Sequence, residues 1–189
     1  MKRAEVISRL KAGNEKFVKD KLDHEHEASE RRHAVLKGQD PFAIILCCAD
    51  SRVIPELIFD TGIGDLFVVR VAGNVANISS VASIEYAVAH IGTQIIVVLG
   101  HENCGAVTAA VNSEDRGPNL NHLLSHIRPA VDASGKHAEI NDIARKNAQM
   151  TARSLCENSA IIDKAEKQGK IDIIPAYYHL DSGKVDFLS

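Results

Sequence analysis

The sequence predicts an α/β fold: a single domain with a central, mostly parallel β-sheet of four parallel strands plus a short antiparallel edge strand, flanked by helices. Three observations predict it. Phe42–Cys47, Leu66–Val69 and Ile95–Leu99 are unbroken apolar runs, with Ile171–Tyr178 a weaker fourth. Strands buried on both faces read this way, because helices cover each side of a parallel sheet. Helical stretches lie between the runs, which is the alternation of an open α/β domain. No repeat, low-complexity segment or linker divides the 189 residues.

Each element follows from its residues. Residues 2–20 read as a helix, with Val6, Ile7, Leu10 and Phe17 forming an apolar stripe opposite Lys, Arg and Glu. Residues 21–37 read as a second, polar helix. Neither has an evident place in the sheet core, so both are expected to pack on a partner subunit. This divides the single domain, 1–189, into an N-terminal helical arm, 1–37, and an α/β core, 38–189. Between the strands, helices are expected over Ile54–Phe59, Ser80–Ile91, Cys104–Asn112, Leu120–Val131, Glu139–Glu157 and Ser159–Gln168. Asp181-Ser182-Gly183 is a turn signal, and Val185–Leu188 then closes the sheet as a short antiparallel strand.

Composition excludes several function classes. The chain is 45% hydrophobic and 25% charged, with a formal net charge of −3. That balance leaves no basic footprint for nucleic acid. The apolar runs fall well short of the ~20 residues that span a bilayer. Met1-Lys2-Arg3-Ala4-Glu5-Val6 lacks the apolar stretch of a signal peptide, so a cytoplasmic location without membrane partners is expected.

Two short segments carry the chemistry: Cys48-Ala49-Asp50-Ser51-Arg52 and His101-Glu102-Asn103-Cys104. Cys48 ends the first core strand, while His101 and Cys104 follow the third. Sites in open parallel sheets lie outside the carboxyl ends of the strands, so the three side chains can converge. Two cysteines and a histidine suit tetrahedral Zn²⁺, and three protein ligands leave one position open for catalysis. Zinc lowers the pKa of its water from ~16 towards ~7. Two thiolates cancel the metal's formal charge and weaken that effect, so other groups must help. Asp50, paired with Arg52, can accept a hydrogen bond from the resulting hydroxide and orient it. Unpaired, Asp50 can swing onto zinc as a fourth ligand in a closed state. Cys104 sits near a helix N-terminus, which favours its thiolate. Cys47 points to the opposite face from Cys48 and, like Cys156, reads as a buried core thiol.

These motifs resemble the β-class carbonic anhydrases. The likeness continues through Gly64–Arg70, Ala72-Gly73-Asn74, Ser83–Ala87, Gly13–Phe17, and Tyr178 with Gly183, and covers essentially the whole chain. It implies reversible hydration of CO₂ to bicarbonate and a proton, with one Zn²⁺ per chain. Cys48, His101 and Cys104 match the metal ligands, and Asp50 and Arg52 match the catalytic dyad. Gly105 matches a backbone N–H that meets the bound anion. Gln39 matches a substrate-binding glutamine, and Phe67 and Tyr86 match walls of a small pocket shared across a dimer. A homodimer or homotetramer is implied. Arg70 and Tyr178 match two members of a second bicarbonate pocket in a regulated subtype, but Ile45 stands where that pocket has Trp. Rival readings are a CS₂ or COS hydrolase on the same scaffold, and a non-catalytic, zinc-stabilised anion-binding module.

Overall fold

The computed structural model describes residues 1–112, 114–135 and 137–188. Its sheet has the order β2-β1-β3-β4-β5. The strands are β1 (Ala43–Cys47), β2 (Leu66–Arg70), β3 (Ile95–His101), β4 (Asp172–Tyr178) and β5 (Val185–Phe187). β1 runs parallel to β2 and β3, β3 parallel to β4, and β5 antiparallel to β4. The predicted sheet is therefore the observed one. Its helices are α1 (Arg3–Val18), α2 (Ser29–Ala34), α3 (Pro55–Ile58), α4 (Ile78–Tyr86), α5 (Gly105–Asn112), α6 (Pro118–Ser125), α7 (Arg128–Ser134), α8 (Ile140–Asn158) and α9 (Ala160–Lys167).

Strand alternation divides the core into two layers. Ile45, Cys47, Val97 and Leu99 face one side and meet Val6 and Leu10 of α1 with Ile58 and Phe59 at α3. Ile44, Leu46, Ile96 and Val98 face the other, against Ile84 of α4, Ala148, Ala152 and Leu155 of α8, and Ile162 of α9. This two-sided cover is why the strands read as continuous apolar runs.

The expectation that α1 has no place on its own sheet is corrected. Val6 and Leu10 are buried there, and Gly13 lets the helix backbone close onto Phe59. Asn14 anchors the same face: Nδ2 donates to the carbonyls of Ile58 (3.2 Å) and Gly183 (2.8 Å), and Oδ1 accepts from Val185 N (2.8 Å).

Only Ser29–Ala34 of the expected 21–37 helix is helical. Asp20, His24 and His26 have φ of 53°, 54° and 64°, which a right-handed helix excludes. Side-chain ties hold that conformation. Asp60 accepts from the backbone N of Asp23 (3.0 Å), and His26 Nδ1 lies 2.8 Å from Asp65 Oδ2. A polar segment without an apolar stripe had nothing to resist them.

The expected Leu120–Val131 helix is split into α6 and α7. Pro129 is the cause, because its ring clashes with the carbonyl four residues back, at Ser125, where α6 ends. The expected Ser80–Ile91 helix starts earlier, at Ile78, because Asn77 caps it by accepting from Ser80 N (2.9 Å). It passes into a π-helical turn, Ala87–Ile91, before Gly92. Among the described residues no helix is long and apolar enough to cross a membrane.

Candidate metal centre

Cys48, His101 and Cys104 lie at the carboxyl ends of β1 and β3 and at the start of α5. Their ligand atoms all fall within 4.8 Å of one another. All three side chains are buried, with His101 fully so. Cys48 departs from the face occupied by Cys47 and joins a third cluster with Val75, Val107, Ile127, Ile143 and Tyr177.

Local backbone fixes each one. His101 Nδ1 lies 2.8 Å from the Glu102 carbonyl. A carbonyl only accepts, so Nδ1 carries the proton and Nε2 presents its lone pair. That Nε2 is buried and has no hydrogen-bond partner. A buried polar atom without a partner is costly, and its position beside two thiols fits a metal ion. Asn103, with φ of 51°, makes the tight turn between His101 and Cys104, and Asn141 of α8 pins it by accepting from Asn103 N (2.9 Å). The sulfur of Cys48 accepts from Asp50 N (3.4 Å) and Gly73 N (3.3 Å).

Electrostatics favour anionic sulfur at Cys48. A hydrogen bond from Cys104, then the neighbouring His101 imidazole and the two amides, hold its thiol well below the ordinary range against the opposing effect of burial. The neighbouring Cys48 sulfur and burial push Cys104 the other way, opposed by the amides of Val107 and Ala106 at the α5 N-terminus. A cation between the two sulfurs would relieve that conflict and let both ionise. Cys47 and Cys156 behave differently: burial is the main cause pushing each up to about 12.

Asp50 and Arg52 form a forked pair. Arg52 Nε donates to Oδ1 (2.9 Å), Nη2 to Oδ2 (2.7 Å), and the Arg52 backbone N also reaches Oδ1 (3.0 Å). Arg52 is the main cause holding the Asp50 carboxyl far below the usual carboxylate range. Asp50 Oδ2 stands 3.9 Å from His101 Nε2, so the pair borders the three ligand atoms. Arg70, at the end of β2, braces the loop by donating to the carbonyls of Cys48 (3.3 Å) and Asp50 (2.8 Å).

A family model described as carbonic anhydrase matches residues 43–185. Carbonic anhydrase 2 of Mycobacterium tuberculosis is 36% identical over 181 residues, covering 93% of this chain and 87% of that protein. The chain belongs to the β-carbonic anhydrase family. It is a carbonic anhydrase, an enzyme of CO₂ hydration. The carbonic anhydrase of Mycolicibacterium smegmatis is 35% identical over 186 residues, covering 95% of this chain and 90% of that protein. The β-carbonic anhydrase CcaA superposes with a TM-score of 0.76 at 28% identity, over 98% of this chain and 92% of that one. A Coccomyxa β-carbonic anhydrase in complex with acetazolamide gives 0.77 at 26%, over 96% and 86%.

The remaining positions matched to carbonic anhydrases are spread out. Gly105 opens α5 directly after Cys104, with open space around its Cα. Phe67 is half-buried on β2, against the layer that holds Ile44 and Leu46. Tyr86 is 51% exposed at the end of α4, stacked near His90, so core packing does not explain it. Gln39 is exposed before β1, at the opposite end of that strand from Cys48. Ile45, in place of the Trp of the regulated subtype, is fully buried. Sequence reasoning singled out Gly73 and Arg70 only as matched positions and missed the Gly73 donor to Cys48, the bracing role of Arg70, and Asn141 altogether. The Gly-Asn pair at 73–74 was a readable turn signal; Asn141 carried none.

Proposed function

We propose that this carbonic anhydrase hydrates CO₂ with one Zn²⁺ per chain held by Cys48, His101 and Cys104, and with Asp50 and Arg52 as its catalytic dyad. The observation that carries the reading is His101 Nε2: buried, fixed as a lone-pair donor by the Glu102 carbonyl, and unpartnered beside two thiols. Bound there, zinc supplies the Lewis acidity that makes a water nucleophilic near neutral pH.

The chain's own groups do the rest. Arg52 engages both oxygens of Asp50, which keeps the carboxylate ionised and turned away from the ligand set. Asp50 then accepts a hydrogen bond from the attacking water and aims its lone pair at the carbon of CO₂. The Gly105 N–H, at the positive end of α5, faces the oxygen on which charge develops. Arg70 keeps Cys48 and Asp50 in fixed relation through their carbonyls.

Assembly completes the pocket in this reading. Ile78 is 90% exposed, Tyr86 is 51% exposed, and β2 leaves an apolar sheet edge. A second copy covering them forms a homodimer, with a homotetramer as a further association. β1 alone spans about 16 Å, so Gln39 reaches the metal centre of a second copy and not that of its own chain.

CO₂ hydration and zinc content, measured on the same samples against pH, test the reading. Cys48→Ser and His101→Ala should lose zinc and activity together. Asp50→Ala should keep zinc and lose roughly 10²–10⁴-fold in rate, the usual worth of a positioned acid–base group. Normal turnover by Asp50→Ala refutes the dyad, and full zinc content in Cys48→Ser refutes the ligand set.

A further inference from the structure

Asp50 N reaches the Cys48 sulfur from Cys48's own loop, whereas Gly73 N reaches it from the 3-10 turn Ala72–Asn74 that follows β2. That second donor depends on an unusual backbone. Gly73 has φ of 69°, and a Cβ there would meet Ile127 Cδ1 at 2.6 Å and Ala106 Cβ at 3.2 Å. Glycine suits both the left-handed conformation and the close packing of this turn against Ile127 and Ala106.

The other side of Gly73 is held from a distance. Its carbonyl accepts from Asn147 Nδ2 at 2.8 Å. Asn147 lies on α8 and is 1% exposed, on a helix face otherwise made of Ile143, Ala144, Ala148, Thr151, Ala152 and Leu155. A carboxamide buried on that face costs stability unless its hydrogen bonds are made. An aliphatic side chain would fill the same position without that cost. Its bond is spent on the residue that donates to Cys48.

We propose that Asn147 is a positioning residue for the metal centre: by clamping the Gly73 carbonyl it keeps the Gly73 N–H aimed at the Cys48 sulfur, and so limits the charge that sulfur gives to the metal. The proposal rests on Cys48 being a ligand. Two thiolates neutralise a divalent ion, and each N–H on sulfur withdraws part of that donation. Such outer partners orient a ligand and tune the metal it holds. Asn147 touches neither substrate nor metal and acts only through Gly73.

Cobalt(II) replaces zinc in the test, because its thiolate charge-transfer band reports the donor energy of the sulfur. Asn147→Ala should move that band to longer wavelength and weaken cobalt in chelator competition by about 10–100-fold. Thr151→Ala, a buried change one turn along α8, should do neither while lowering the melting temperature comparably. An Asn147→Ala protein with a lowered melting temperature but an unchanged band and metal affinity has lost only packing, and that result overturns the proposal. If Asn147→Ala does not fold, Asn147→Ser is measured in the same way. Its shorter donor predicts a shift of the same sign, and an unchanged band again overturns the proposal. A wild-type cobalt protein without any thiolate band would instead refute Cys48 as a ligand, a failure separable from that of Asn147.

Discussion

Gly13→Ala sets two effects of opposite sign against each other. In an isolated helix the change should help, because Ala is better than Gly by about 1 kcal/mol. In the folded chain the added Cβ would stand 1.8 Å from the Phe59 carbonyl oxygen and 2.5 Å from its carbon. Both atoms are backbone, so neither can rotate away, and α1 must lift from the sheet by an ångström or more. Lifting loosens Val6 and Leu10, each worth about 1.5–3 kcal/mol when fully buried. It also stretches the three Asn14 hydrogen bonds, each worth about 1 kcal/mol. Losing roughly half of these terms, less the propensity gain, leaves a net destabilisation of about 2–4 kcal/mol. For a chain of this length that is a fall of about 4–16 °C in melting temperature. Thermal unfolding at several protein concentrations measures it and separates it from dissociation. A melting temperature unchanged or raised in Gly13→Ala would mean that α1 does not close on its own sheet.

Two further outcomes follow from charge and exposure. Asp65 is nearly buried, which opposes its charge, yet the Gly62 N–H with His26 and Arg9 hold its pKa below the ordinary value. A folded pKa below the unfolded one stabilises fully above about pH 4 and loses that contribution as pH falls through the folded value. Melting temperature against pH should therefore drop less steeply in acid for Asp65→Asn than for the parent, and identical slopes would contradict the assignment. Ile78→Glu places a charge on the most exposed large apolar side chain and should shift sedimentation from oligomer towards monomer; a parent chain that sediments only as monomer refutes the assembly.

The parts of the fold that were legible are those set by local pattern. β1, β2 and β3 announce themselves because helices cover both faces, and the antiparallel closure by β5 follows from the turn at Asp181–Gly183. The convergence of Cys48, His101 and Cys104 was readable for the same reason, since strand ends in a parallel sheet share one rim. Distant partners set what was not legible. The 21–37 segment loses most of its helix to Asp60 and Asp65, far along the chain. α1 looked unplaced because its stripe is narrow, and nothing local says that Gly13 will meet Phe59. Leu120–Val131 is a different case: its split is legible locally, because Pro129 clashes with the carbonyl four residues back.

The same distinction separates the chemistry of the site from its tuning. The proposed ligands and the Asp50–Arg52 pair are visible as short motifs because, in the proposed chemistry, their atoms must touch one ion or one water. The groups that set how those atoms behave are backbone amides and carbonyls, which every residue carries and no motif displays. Cys48 takes two amides, His101 gives its Nδ1–H to a carbonyl, and Arg70 holds two more carbonyls. With two thiolates under a divalent ion, the proposed centre would have no formal charge to spare, and its acidity would depend on these donors drawing electron density from sulfur. Their aim depends in turn on turn geometry: a left-handed glycine at 73, a left-handed asparagine at 103, and side chains from α8 that bind each turn from behind, Asn147 on the first and Asn141 on the second. One helix, packed as a cover for the sheet, therefore also fixes the turn that donates to Cys48 and the loop that carries His101 and Cys104. That coupling makes α8 the element through which a change far from the motifs would reach the proposed metal site.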